Sequence, residues 1–275
     1  MMQMTNTVKQ LLIINIIFYI GSNINGDVAY QMFSMYPPQN PNFRFWQPLT
    51  SMFMHAPMPN LMHIVFNMFA LVSFGSALEH FWGAKKFIFF YISCGLGAAL
   101  LHLGVNYFQI QQELHNAEYL NLSRDTINQI LSVNFSDGNY YRKDLFLENI
   151  KPIFDKLGKS NELNVSSFDA LFQAAINFQT PSLGASGAIY GLLTAFAFMF
   201  PNAELALLFI PVPIKAKYFV PGIIAIDLFL GFKGNSLFGS GGTGIAHFAH
   251  IGGALCGFLM MWYWKKNSFN KNRWN

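Results

Sequence analysis

Charge is scarce in this chain. Asp, Glu, Lys and Arg make up 11% of its 275 residues, where a soluble globular protein carries about 25%. That shortage argues against an ordinary water-soluble domain. With 53% hydrophobic and 17% aromatic residues, a membrane protein is the leading class. Cysteine is scarce too. Cys94 and Cys256 both lie in apolar runs and read as small buried hydrophobes, so neither a disulfide framework nor a cysteine metal site has support. No internal repeat is visible. A secretory cleavage pattern is also lacking. The apolar stretch Leu11 to Ile20 follows Lys9 but leads into Gly21-Ser22-Asn23-Ile24-Asn25, so it is expected to be a retained first membrane helix.

Long apolar runs are what the chain has instead. A membrane-spanning helix needs about 20 mostly apolar residues. Six candidates read as Val8 to Ile24, Asn60 to His80, Phe87 to Tyr107, Ser186 to Met199, Tyr218 to Leu230 and Ile245 to Trp264. The first and fourth are short, and a short fourth helix must be enclosed by its neighbours. Basic residues in short connections set orientation. Lys9, Lys85, Lys86, Lys215, Lys217, Lys265, Lys266, Lys271 and Arg273 fall on one face. Outside the long polar segment the other face carries only Arg44 and Lys233. Both termini are therefore expected in the cytoplasm, with the cell (inner) membrane as the expected location. Basic residues gathered at span ends read as topology signals, and no nucleic-acid partner is expected.

A polar segment of about Gln109 to Thr180 separates the third and fourth spans. Apolar residues recur there at helical spacing in Leu145, Ile150, Ile153, Phe154 and Leu157, and again in Phe168, Leu171, Phe172 and Ala175. Asn134-Phe135-Ser136-Asp137-Gly138-Asn139 is turn chemistry. Two or three short amphipathic helices on the non-cytoplasmic face are expected.

The fourth span opens with Gly184-Ala185-Ser186-Gly187-Ala188-Ile189-Tyr190-Gly191. Flanking glycines let backbone approach a substrate carbonyl. A helix N-terminus offers free N–H groups and partial positive charge to an oxyanion. Gly187 and Gly191 lie four apart, the spacing that lets another membrane helix come close. Read alone, the run also fits a small-residue packing helix with an incidental serine. The last span carries Ala249-His250-Ile251-Gly252-Gly253 and then Gly257. A histidine inside a membrane helix is costly and is a functional candidate, though a packed core histidine is the plain alternative. Serine is a weak nucleophile and needs an adjacent base. His247, three residues earlier, is the rival base.

In this order the motifs resemble the rhomboid intramembrane serine proteases, over about residues 40–107 and 181–264. The resemblance implies an all-α membrane protein, a six-transmembrane-helix bundle with a helical polar insertion between the third and fourth helices. Residues 1–108 would supply three helices and a membrane-dipping loop, 109–180 the insertion, and 181–275 the last three helices and a tail. It implies a dyad of Ser186 and His250. His63-Ile64-Val65-Phe66-Asn67 resembles the family's oxyanion pair, which gives that role to His63 and Asn67. A spacing of four places both on one helical face; an interhelical hydrogen-bond pair is the bland alternative. Tyr190 resembles the aromatic that packs against the catalytic imidazole, with Gly184 and Gly187 lining the site. Trp46, Thr50 and His55 resemble the membrane-dipping loop, where Gln47 departs from the usual Arg. Gly75-Ser76-Ala77-Leu78-Glu79 resembles a structural Gly/Glu pair. Asp227 in the fifth span invites a triad, but the family pattern is a dyad, so a helix-end or interhelical hydrogen bond is expected.

The activity so implied is cleavage of transmembrane segments of membrane proteins, with the bilayer as surroundings, no cofactor and no metal. The insertion could filter access to the site or be a tolerated surface addition. Gly231 to Gly244 could be a mobile cap. Two other functions compete: a non-catalytic rhomboid-like binder of transmembrane clients, which would lack the serine or histidine, and a small transporter, which would carry more charge inside its spans.

Overall fold

Long apolar runs become helices, and helix dominates the computed structural model, which describes residues 3–138, 140–207, 210–233 and 245–267. In chain order the elements are α1 (Asn6–Phe33), α2 (Gln47–Thr50), α3 (Leu61–Ala70), α4 (Ser76–Trp82), α5 (Ala84–Asn116), α6 (Arg124–Leu131), α7 (Lys143–Leu157), α8 (Val165–Gln179), α9 (Ser186–Met199), β1 (Glu204–Leu207), β2 (Ile210–Lys215), α10 (Ala216–Lys233) and α11 (Ile245–Asn267). A π-helical turn, Leu71–Gly75, joins α3 to α4. Among the described residues, three helical stretches are long and apolar enough to cross a membrane: Asn6–Phe33, Leu61–Trp82 and Ala84–Asn116. Ile17, Ile24, Val28, Phe89 and Leu100 stand exposed along them. In water such faces would be a liability; lipid removes the cost, and the fold is a helical membrane fold.

The contacts divide into two compact units. The first joins Met1–Met35, Phe45–His102 and Ser182–Asn275; the second joins Tyr36–Arg44 and Leu103–Pro181. So the segments 1–108 and 181–275 share one unit for most of their length, and the polar segment gains residues 36–44. The first unit is centred on buried Val8, Leu71, Leu78, Phe87, Tyr91, Cys94, Ile189 and Leu192. Glu79 receives the backbone N–H groups of Thr7 (3.2 Å) and Val8 (3.0 Å) and the Thr5 hydroxyl. A carboxylate there satisfies free donors at the start of α1 and complements its dipole.

Three elements differ from those expected, one being α5, which runs past Tyr107 to Asn116. The first helix does not stop near Ile24: α1 continues to Phe33 past a break at Gly26, where φ is 44°. Its last carbonyls have partners far along the chain. Trp46 Nε1 donates to Met32 O (2.9 Å), Gln47 Nε2 to Gln31 O (3.1 Å) and Thr50 Oγ1 to Phe33 O (2.9 Å). Those donors hold a turn that Asn25-Gly26-Asp27 alone would end. Between α9 and α10 lies an antiparallel hairpin, with Glu204 opposite Lys215 and Leu205 opposite Ile214, where only a connection was expected. The Gly-rich cap expected over 231–244 and the basic residues Lys271 and Arg273 lie largely or wholly outside the described residues.

The second unit has its own apolar core of Leu120, Ile130, Phe135, Phe146, Ile150, Phe154 and Leu171, each 0–1% exposed. Its helices carry their own stops. The Ser123 side chain caps α6 by accepting from Thr126 N. Asn164 and Ser167 form a capping box at the start of α8, and Gly158 ends α7 at φ 68°. Three amphipathic helices with local caps match the polar segment's periodicity.

Candidate active site

Ser186 is the first residue of α9, and no side chain caps that helix start. Its first backbone N–H groups are thus left for another acceptor. Gly184, two residues earlier, has φ 127°, a conformation that L side chains rarely adopt. A Cβ there would lie 3.3 Å from Ser186 Oγ and 3.4 Å from His63 Nε2. Glycine at 184 therefore serves both the turn and the close approach of His63 to the serine.

The base candidate arrives on α11 because two helices meet without side chains between them. A Cβ on Gly253 would fall 1.8 Å from Gly187 O, and one on Gly257 would fall 2.9 Å from Gly191 Cα. Small residues four apart on both helices permit that approach. It brings His250 Nε2 within 2.8 Å of Ser186 Oγ. The Tyr190 ring, one turn along α9, stacks on the His250 imidazole at 4.4 Å between centroids and 9° between planes. That contact fixes the plane in which the imidazole lies.

Asp227 on α10 makes the interhelical hydrogen bond expected of it, but to partners the sequence reading did not assign. Its Oδ2 lies 3.3 Å from His250 Nδ1, and its Oδ1 bonds His247 Nδ1. His247, the rival base, thus faces the carboxylate and not the serine. Asp227 is 4% exposed and His247 7%. The available signal was two costly polar residues on consecutive apolar helices.

His63 and Asn67 lie one turn apart on α3. His63 Nδ1 accepts the Ala56 backbone N–H (3.0 Å). A neutral imidazole with Nδ1 accepting carries its proton on Nε2, on the ring edge that, with Cε1, faces Gly184. Asn67 Nδ2 donates to His63 O (2.6 Å), so its amide nitrogen braces its own helix. Next to them His55 is fully buried, with Nε2 2.9 Å from Asn15 Oδ1. Burial holds the His55 imidazole down to about 3, so it stays neutral. Donor atoms of Asp227, His247 and His250 lie within 4.8 Å of one another, close enough in principle for a cation. Each is already engaged in a hydrogen bond, and no metal role is assigned to them.

Known proteins resemble this chain in sequence. A family model described as Rhomboid domain matches residues 42–109 and 163–267 and passes over 110–162. An uncharacterized mitochondrial rhomboid protein of Schizosaccharomyces pombe is 27% identical over 233 residues, covering 82% of this chain and 53% of that protein. Rhomboid protein 1, mitochondrial, of Saccharomyces cerevisiae is 33% identical over 91 residues, covering 31% of this chain and 23% of that protein. Presenilin-associated rhomboid-like protein, mitochondrial, of Rattus norvegicus is 40% identical over 87 residues, covering 30% and 20%. The matched region is thus about half of the first protein and less than a quarter of the other two.

Proposed function

The chain belongs to the rhomboid family, and from that premise we propose that it is an intramembrane serine endopeptidase that cleaves transmembrane segments of other membrane proteins. The observation that carries this reading is the 2.8 Å approach of His250 Nε2 to Ser186 Oγ. It lies beside a helix start with free N–H groups. Ser186 Oγ attacks the scissile carbonyl carbon while His250 Nε2 takes the hydroxyl proton. The oxyanion is stabilised by the Ser186 N–H and by His63 Nε2–H, with Asn67 holding the His63 turn. His250 then gives its proton to the leaving amine as the C–N bond breaks. Water, deprotonated by the same imidazole, releases the acyl group and restores the serine.

The bilayer supplies the substrate as well as the surroundings. Termini on the basic face would lie in the cytoplasm of a cell membrane. The names of the relatives place those proteins in mitochondria, and that would make the corresponding side the matrix. A fluorophosphonate probe should label the full-length protein and fail to label Ser186→Ala or His250→Ala. Labelling with cleavage of a transmembrane substrate separates a protease from a client-binding relative without activity. An unlabelled wild type that still retains transmembrane clients would favour the binder.

A further inference from the structure

Resting on the protease reading, we propose that Asp227 is a positioning residue that turns the Ser186–His250 pair into a three-member relay, with His247 holding the carboxylate in place. The chain of contacts is continuous. Ser186 Oγ meets His250 Nε2 at 2.8 Å, His250 Nδ1 meets Asp227 Oδ2 at 3.3 Å, and Asp227 Oδ1 meets His247 Nδ1. Three helices contribute: α9 the serine, α10 the carboxylate and α11 both histidines.

The chemistry follows from which nitrogen carries the proton. An ionised carboxylate only accepts, so a neutral His250 beside it keeps its proton on Nδ1. That leaves Nε2 with a lone pair facing the serine hydroxyl, the tautomer a general base requires. When Nε2 takes the serine proton, the imidazolium forms next to a negative charge, and no proton needs to move to Asp227. The carboxylate itself is buried among apolar helices, a costly place unless its oxygens are paired. His247 takes one oxygen and His250 the other. His247 is thereby assigned to holding Asp227, which explains a second buried histidine one turn from the base. Among the described residues, the polar groups around His250 are Ser186 and Tyr190 from α9, Asp227 from α10, His247 from its own helix, and His63 from α3.

The test uses full-length protein in lipid vesicles and a transmembrane substrate, reading kcat, KM and probe labelling of Ser186. Asp227→Asn should lower kcat by roughly 10²–10⁴-fold with KM changed less than two-fold. His247→Asn, which keeps an N–H near the Nδ1 position, should retain more activity than His247→Leu. In unmodified protein, nitrogen NMR of His250 should report a protonated Nδ1 at neutral pH. A labelled and active wild type whose Asp227→Asn variant keeps kcat within two-fold would overturn the relay alone. So would a His250 protonated on Nε2, a measurement that needs no variant to fold. A wild type unlabelled at Ser186 and inactive would instead overturn the protease reading and the relay with it.

Discussion

At the scale of single residues, hydrogen bonds at some distance from the serine decide what each polar group can do. His63 illustrates this: the Ala56 N–H occupies its Nδ1, and Nε2–H is left as a donor near Gly184 and Ser186. Loss of one such preorganised donor costs about 10²–10³-fold in kcat. His63→Ala should show that loss in kcat, with KM nearly unchanged, in a transmembrane-substrate assay. Asn67→Ala acts one step removed, through the His63 turn, and should cost less; an equal or larger loss would show that its amide reaches the oxyanion directly. The candidate positions 63, 67, 186 and 250 were legible in the sequence because costly polar residues stand out in apolar helices. Asp227 stood out as well, but its partner did not, since α10 and α11 face each other only in three dimensions.

At the scale of elements, glycines set the distance between α9 and α11. Gly253 faces the Gly187 carbonyl so closely that a Cβ would sit 1.8 Å from its oxygen. Backbone cannot yield as a flexible side chain can. Overpacking of this kind costs about 1–3 kcal/mol, so Gly253→Val should lower the thermal midpoint in detergent. It should also cut probe labelling at Ser186, because the helix carrying His250 is pushed away. A variant with wild-type midpoint and labelling would mean the two helices are not held this tightly. Spacing of four made the contact faces of α9 and α11 readable. The extent of α1 was not readable. Asn25-Gly26-Asp27 has the chemistry of a loop, while the donors that keep the helix going, Trp46, Gln47 and Thr50, come 14–17 residues after the carbonyls they satisfy. The β1–β2 hairpin was missed for a related reason. Its strands are only 4 and 6 residues long, too short for an alternating pattern to stand clear of the apolar helices on either side.

At the scale of the whole molecule, two compact units carry two separate cores. Ser186, His250, Asp227, His63 and Tyr190 all belong to one of them. Phe135 lies fully buried in the other, its ring 5.2 Å from Phe146 and 5.5 Å from Phe172. A Phe→Ala change in such a core costs about 3–5 kcal/mol. Phe135→Ala should therefore open residues 103–181 to limited proteolysis while Ser186 still takes the fluorophosphonate probe. Loss of labelling in step with proteolysis would show that the two cores stand or fall together. Measuring the same variant on several transmembrane substrates tests whether the polar segment filters access. Altered selectivity with retained labelling supports that role, and unchanged selectivity removes it.

Sequence alone determined the membrane class, the helical architecture, the helices of the polar segment and the candidate serine, histidine and asparagine positions. Each depends on composition or on spacings of three and four, which local chain geometry converts directly into faces. Tertiary structure alone decided that His247 turns toward Asp227 while His250 turns toward Ser186, and that α1 runs past Gly26. These outcomes rest on hydrogen bonds between groups far apart in the chain, whose meeting depends on how whole helices pack and not on any residue's neighbours in sequence.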